Sequence, residues 1–328
     1  MKRLRLIFLL SAAAAIVSCS KAGSGDFTES AVSFNVQDKD LKDVQTKAAS
    51  VVTEPSLRVS GFNVSAVRGA EGADEKVTWF DNTHFTFRPD ESLFSGGRRW
   101  PSFDPLFRFY ASNADLAYGA GGATVEARNT QDVVCAYNNS PTYEAVNLLE
   151  FEHIFTMVGG VSVKWEPGYV LSDILITTTP VTGGTYNLYT GYGNIDGTAG
   201  WDNLITATDP FPLFLFPDTG ADPPEGNPYN PEVSTPVKTN QLDMLMVPGD
   251  YEISATWSAS LRTGSLQREG TYTRKKTIHL QAGNRYVISA VLGGDLSMFI
   301  LEIEHQPIVE WDASVRFGEW VHYNELWK

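Results

Sequence analysis

Two thiols are the most reactive groups in this 328-residue sequence, and their neighbours assign them different chemistry. Cys19 follows Ile16-Val17-Ser18, a pattern that looks like a lipobox, where diacylglycerol joins the thiol and the chain is cut just before the cysteine. Upstream stand Lys2, Arg3 and Arg5, then an apolar run over residues 6–17 broken only by Ser11. A basic start, an apolar centre and small residues before the cut are the three parts of a secretory signal. The run of about 12 residues is too short for a bilayer, which takes about 20. Acyl chains contribute about 0.8 kcal/mol per buried CH₂, so two or more would hold the chain on a membrane. The other reading of Cys19 is an incidental residue of a secreted chain. Cys135 lies in Val133-Val134-Cys135-Ala136-Tyr137, which reads as a core strand, so a buried, inert thiol is expected there. With Cys19 lipidated a single thiol remains, and an internal disulfide is excluded.

The other chemistry-bearing residues do not assemble into a constellation. His84, His153, His279, His305 and His322 fall at no metal-ligand spacing. There is no HExxH, no Gly-x-Ser-x-Gly and no phosphate-cradling glycine loop. The 39 acidic residues guarantee chance carboxylate pairs and single out none. No catalytic residue, metal or cofactor is expected, and a hydrolase finds no support. His153 alternates with Phe151 and Phe155, so it is expected to pack on one face with them and to find a hydrogen-bond partner.

Removing residues 1–18 takes away Lys2, Arg3 and Arg5 and no acid, which leaves 22 basic against 39 acidic residues and a net charge of −17. Nucleic-acid binding needs a basic stripe and is not expected. An anionic membrane surface is an equally poor partner. Acidity of this size gives solubility and mutual repulsion.

The elements that must position these residues are strands. Gly 28, Pro 17 and 12% aromatics suit an all-β chain, and no long amphipathic helix is visible. Residues 149–153 and 251–257 alternate apolar and polar as half-buried strands do. Val32, Phe34 and Val36 alternate in the same way near the start. Gly159-Gly160 suggests a bulge or bend. Residues 173–178 read as a buried strand, and 181–186 as a turn into another. Residues 271–280 and 286–292 are further strands, and 191–201 reads as an insertion. The proline-rich stretch 217–239 reads as a long surface loop. At the end, Val309, Trp311, Ala313, Val315 and Phe317 alternate with polar residues. An exposed tail of that kind is an aggregation hazard, so it must be buried in its own sheet or in a partner. Many short strands with Gly, Pro and Asn turns imply antiparallel sandwiches. The expected organisation is a signal peptide (1–18), a lipidated tether (19–30), a first β-sandwich (31–146) and a second (147–328).

Several segments follow one another in a fixed order. The tether leads to Ala31-Val32-Ser33-Phe34-Asn35-Val36, then to Thr46-Lys47-Ala48 and to Phe62-Asn63-Val64-Ser65-Ala66 within the strand-like run 57–67. Arg99-Trp100-Pro101, expected to start a strand, precedes Leu106-Phe107-Arg108-Phe109-Tyr110-Ala111, in which Phe107, Phe109 and Ala111 share a face. Asp132-Val133-Val134-Cys135-Ala136, Leu149-x-Phe151-x-His153 and Phe214-Leu215-Phe216-Pro217 complete the series. Taken in this order, the segments resemble the Bacteroidia-type (Mfa-like) fimbrillin family over most of the chain.

The resemblance implies two tandem transthyretin-like sandwiches and a surface-exposed outer-membrane lipoprotein that joins other subunits in a fimbrium with a role in adhesion. It further implies that a trypsin-like protease cuts after a basic residue near the N-terminus, the first strand leaves, and a strand of the next subunit fills the groove. On this chain the displaced strand would carry Val32, Phe34 and Val36. The cut would fall between Lys47 and Ala48, and the donated strand would carry Val309, Trp311, Ala313, Val315 and Phe317. Lys47 stands where the family has arginine, and its other reading is a solvated loop residue. Arg58 is the basic alternative, at the start of a strand. The C-terminal segment can equally be the last strand of its own sandwich, and shaft, anchor and tip roles stay open. The rival reading is a monomeric surface lipoprotein whose Trp and Tyr residues and long loop bind a glycan or a host protein.

Overall fold

The structure is a computed structural model that describes residues 31–38, 52–68, 77–101, 107–119, 121–139, 141, 145–165, 169–194, 196–216, 237–263, 266–293, 298–308 and 322–323. The first half supplies β1 (Ala31–Asp38), the short helix α1 (Glu54–Ser60), β2 (Phe62–Arg68), β3 (Val77–Arg88) and β4 (Leu93–Arg99). It continues with β5 (Phe107–Ser112), β6 (Leu116–Gly119), β7 (Gly122–Arg128), β8 (Val134–Asn138) and β9 (Asn147–His153). The second half supplies β10 (Thr156–Trp165), β11 (Tyr169–Thr178), β12 (Val181–Asn187), the one-turn α2 (Leu188–Gly191), β13 (Trp201–Thr206) and β14 (Phe211–Phe216). After it come β15 (Val237–Met246), β16 (Gly249–Thr263), β17 (Leu266–Leu280), β18 (Asn284–Gly293), β19 (Met298–Pro307) and β20 (His322–Tyr323). The fold is all-β.

Seven strands close a barrel in the order β1-β4-β3-β2-β5-β8-β9. Every neighbouring pair is antiparallel except β1 with β9, which run parallel and shut the ring. Aromatic rings fill it. Phe62 lies within 4.9 Å of Phe94 and 5.1 Å of Phe151, centroid to centroid, and Trp100 adds its indole beside Phe107 and Phe109. Phe107, Phe109 and Ala111 face this interior together.

All six residues of β5 are buried, because its strand is covered on both faces. Tyr110 on the outer face joins a second core with Cys135, Val125, Tyr186 and Trp201. The sheet β13-β12-β7-β6 covers that core, so strands from both halves of the chain build it. Asn147, the expected start of a second unit, begins β9, a stave of the barrel.

A sandwich follows. Sheet β15-β10-β18-β19-β20 packs on sheet β14-β11-β16-β17 around Trp257, Val161, Ile174, Ile253 and Ile288. The alternation of residues 251–257 is real: Tyr251, Ile253, Ala255 and Trp257 are buried and their neighbours are not. The register of β10 slips between Val158 and Gly160 against both β15 and β18, the bulge that the glycine pair suggested.

Several expectations need correction. Residues 57–60 are helical, because Thr53 and Ser56 form a capping box and Pro55 opens the helix. Trp100 and Pro101 follow β4 and do not start a strand, since proline cannot extend the ladder. Residues 173–178 alternate, with Leu175 exposed. β12 continues through Gly183-Gly184, with its register to β13 slipping on either side of Gly183, and is squeezed between β7 and β13: a Cβ on Gly183 would stand 2.2 Å from the Ala127 carbonyl oxygen. The stretch 217–239 ends in strand, since β15 begins at Val237. Phe155 belongs to the second core and Phe151 to the barrel, because the strand stops at His153 and restarts at Thr156.

Candidate functional site

The candidate displaced strand, Val32, Phe34 and Val36, lies in β1, inside the closed barrel. β1 is the barrel's first strand, and it has β4 on one side and β9 on the other. Phe34 pairs with Phe94 of β4 and with Asn147 of β9. Val32 and Phe34 have no exposed surface, and Val36 is half-buried against the same core. Ala31, Asn35 and Gln37 are exposed. The Phe34 ring reaches across the interior to Phe85 at 5.2 Å and meets Phe109 edge-on at 5.0 Å. Full burial of a Val or Phe side chain is worth about 1.5–3 kcal/mol, so these two contribute about 3–6 kcal/mol to holding the strand.

β4 is shaped to receive it. β1 advances from Ala31 to Ser33 while β4 advances from Arg99 to Ser95, a bulge on the β4 side. Gly96 and Gly97 make it. A Cβ on Gly96 would lie 2.6 Å from the Phe85 ring, and Gly97 has φ +68°. At the far end of β1 a small hollow is lined by Val36, Leu57 of α1, Val134 of β8 and Phe151 of β9.

The chain that follows β1 is fastened separately. Asp132, just before β8, is buried, and its Oδ2 accepts the backbone N–H of Val52 at 2.8 Å. The same oxygen lies 2.8 Å from Nδ1 of His153, and both side chains are shut off from water. Asn113 reads the neighbouring backbone, donating to the Asp132 carbonyl at 3.0 Å and accepting from Val134 N–H at 2.8 Å. The chain at Val52 is thus tied to the barrel by a bond that does not involve β1. His153 was expected to be packed with a partner, but nothing in the sequence named Asp132, because the pairing is long-range.

Lys47 and Ala48, the candidate cleavage position, lie outside the described residues, as do Cys19 and Val309, Trp311, Ala313, Val315 and Phe317. Arg58 lies in the last turn of α1 and not at a strand start. Its guanidinium bonds Glu54 at 2.5 Å and sits 4.7 Å over the Phe87 ring. β20 pairs with β19 through Tyr323 opposite Ile303 and His322 opposite Glu304.

Cys135 is fully buried and its Sγ donates to Ser112 Oγ at 3.6 Å. Burial pushes the thiol far above its ordinary range, and the Ser112 bond offsets only part of that. Among the described residues no group of three His, Cys, Asp or Glu side chains could hold a metal, and no helix is long and apolar enough to cross a membrane.

No family model matches the sequence, and no curated protein matches it. Among solved structures the chain is similar to a fimbrial protein from Bacteroides vulgatus, with 13% identity over 85% of this chain and 100% of that one and a TM-score of 0.45. It is similar also to a candidate cell adhesion protein from Bacteroides uniformis, with 11% identity over 87% and 99% and a TM-score of 0.45. A third, from Bacteroides ovatus and of the same description, has 13% identity over 87% and 99% and a TM-score of 0.42.

Proposed function

We propose that the chain is a fimbrillin-type subunit, carried to the cell surface as a lipoprotein on Cys19, that joins other subunits in an adhesive fimbrium without catalytic chemistry. The observation that carries this reading is β1: a terminal strand that closes a barrel with two fully buried side chains, while the chain at Val52 is fastened by a bond that does not involve β1. A cut after Lys47 leaves β1 held by non-covalent contacts alone. Its departure opens an apolar groove and leaves β4 and β9 with unpaired edges, which a strand of the next subunit satisfies by backbone hydrogen bonds and inserted side chains. The contact is head to tail, so it propagates as a filament.

A staple tests this. Ser33 and Ser95 are direct partners across β1 and β4, so the double variant Ser33→Cys, Ser95→Cys can lock β1 in place. Oxidised, this chain should be cut at Lys47 and stay monomeric, and reduction should restore polymer. Equal polymer from the oxidised and reduced forms would rule out strand exchange.

A further inference from the structure

The outer face of the sheet β14-β11-β16-β17 is a nearly neutral surface of short side chains on a chain whose net charge is −14. Ile253, Ala255 and Trp257 point into the sandwich, so the residues between them on β16 point out. Of the outward residues in the three rows centred on Thr256, only Asp173 and Lys275 are charged. Leu175 of β11 stands opposite Leu215 of β14 in the middle row, and the two leucines are 39% and 48% exposed. The hydroxyls of Thr256 and Thr273 lie 3.0 Å apart, and those of Ser258 and Thr271 also 3.0 Å. These oxygens satisfy one another across the strands, so covering them costs little, and side chains this short lose little rotamer freedom.

The two charges are placed to complement a copy of themselves. Asp173 is level with Ser258 on one side of β16, and Lys275 is level with Ser254 on the other, so they stand at equal steps from Thr256 in opposite directions. A two-fold axis that lies in the contact plane, passes Thr256 and is perpendicular to the line from Asp173 to Lys275 exchanges the two positions. Each carboxylate then meets the ammonium of the other copy, twice per contact. Lys275 also bonds Glu252 at 2.8 Å, but both side chains are more than half exposed, and such a pair holds it weakly.

Resting on the assembly reading above, we infer that this face packs on the same face of a second copy and joins neighbouring fimbriae side by side. The face belongs to the sandwich and the β1 slot to the barrel, so one contact does not consume the other. Four strands about 4.8 Å apart and about six residues long at about 3.4 Å each give roughly 400 Å² per copy. A stable pair needs about 800 Å² from each partner. Single chains therefore stay apart, kept so by their net negative charge, and only arrays with many copies in line associate, by avidity.

Charge reversal tests the contact. The uncut chain from Ser20 onward is coupled by its N-terminus to latex beads at high density, and clustering is followed by turbidity. Wild-type beads should cluster. Beads bearing Asp173→Lys alone or Lys275→Asp alone should cluster at least tenfold more slowly, since each variant sets like charges opposite each other at both positions. Mixed in equal number, the two variants should recover the wild-type rate, because every contact is again a Lys–Asp pair. Misfolding or loss of the Glu252 bond would give no such rescue. In electron micrographs of the cut chain, wild-type fimbriae should lie in bundles and those of either variant singly. Wild-type beads that stay dispersed, reversals that cluster like wild type, or a mixture that does not recover overturns the contact. Beads that follow the charge rule while the cut wild type forms no fimbriae keep the contact and overturn the assembly reading instead.

Discussion

Phe34 meets Phe109 edge-on at 5.0 Å although their strands, β1 and β5, stand on different sides of the barrel and share no hydrogen bond. The first strand therefore does more than close an edge; it supplies a ring to the middle of the core. Phe34→Ala removes that ring and leaves a cavity. It should cost about 3–5 kcal/mol in urea unfolding of the uncut chain. Asn35→Ala, on the exposed face of the same strand, should stay within about 0.5 kcal/mol.

Asp132→Ala strips His153 of its buried partner and leaves the Val52 N–H without an acceptor. A loss of about 2–5 kcal/mol is expected. The distinguishing sign is local: α1 should loosen, so that trypsin cuts after Arg58 sooner than in the wild type, before global unfolding. Unchanged cleavage at Arg58 in a destabilised variant would mean that the Asp132 bond does not fasten this segment.

Burial raises the phenols of Tyr110, Tyr186 and Tyr251 far above the ordinary value. Each keeps its proton in the fold beyond about pH 10, where an unfolded chain releases it. The stability tied to these groups is complete below that pH and falls as the pH climbs further, because ionisation then favours the unfolded chain. Alkaline titration followed by tyrosine absorbance should show a cooperative step that coincides with loss of structure. Cys135 obeys the same rule: the chain from Ser20 onward, whose one thiol is Cys135, should resist thiol reagents when native at pH 8 and take up one label when unfolded in urea.

Gly96→Ala drives a methyl group into the Phe85 ring, which itself packs against Phe34. A cost of about 1–3 kcal/mol is expected. After cutting, β1 should dissociate faster from this variant than from wild type, measured as release of the N-terminal fragment on gel filtration. Gly119→Ala, where a new Cβ meets nothing within 4 Å, is the control.

What the sequence disclosed follows from where each interaction is encoded. The inward set Val32, Phe34 and Val36 was legible because period-two patterning is local, and so was the alternation of residues 251–257 inside β16. The partners of β1 were not legible, since pairing with β4 and β9 is settled by chain far away and one of those pairings is parallel. The barrel itself was hidden for that reason. α1 was legible in principle: Thr53, Pro55 and Ser56 are helix-start signals, but the apolar run toward Val67 pointed to strand. Gly183-Gly184 misled because glycine marks a turn as readily as a close approach of neighbouring strands. The residues that give the chain its expected lipid and cut, Cys19 and Lys47, are read from the sequence alone.

The most direct measurement treats the chain from Ser20 onward with a limiting dose of trypsin-like protease, sequences the new N-terminus and runs unboiled denaturing gels. The account predicts a terminus at Ala48, release of the fragment that carries β1, and a ladder of detergent-resistant oligomers. A chain that loses residues 20–47 and remains a monomer with an open groove, or that keeps β1 after the cut at any concentration, would contradict it.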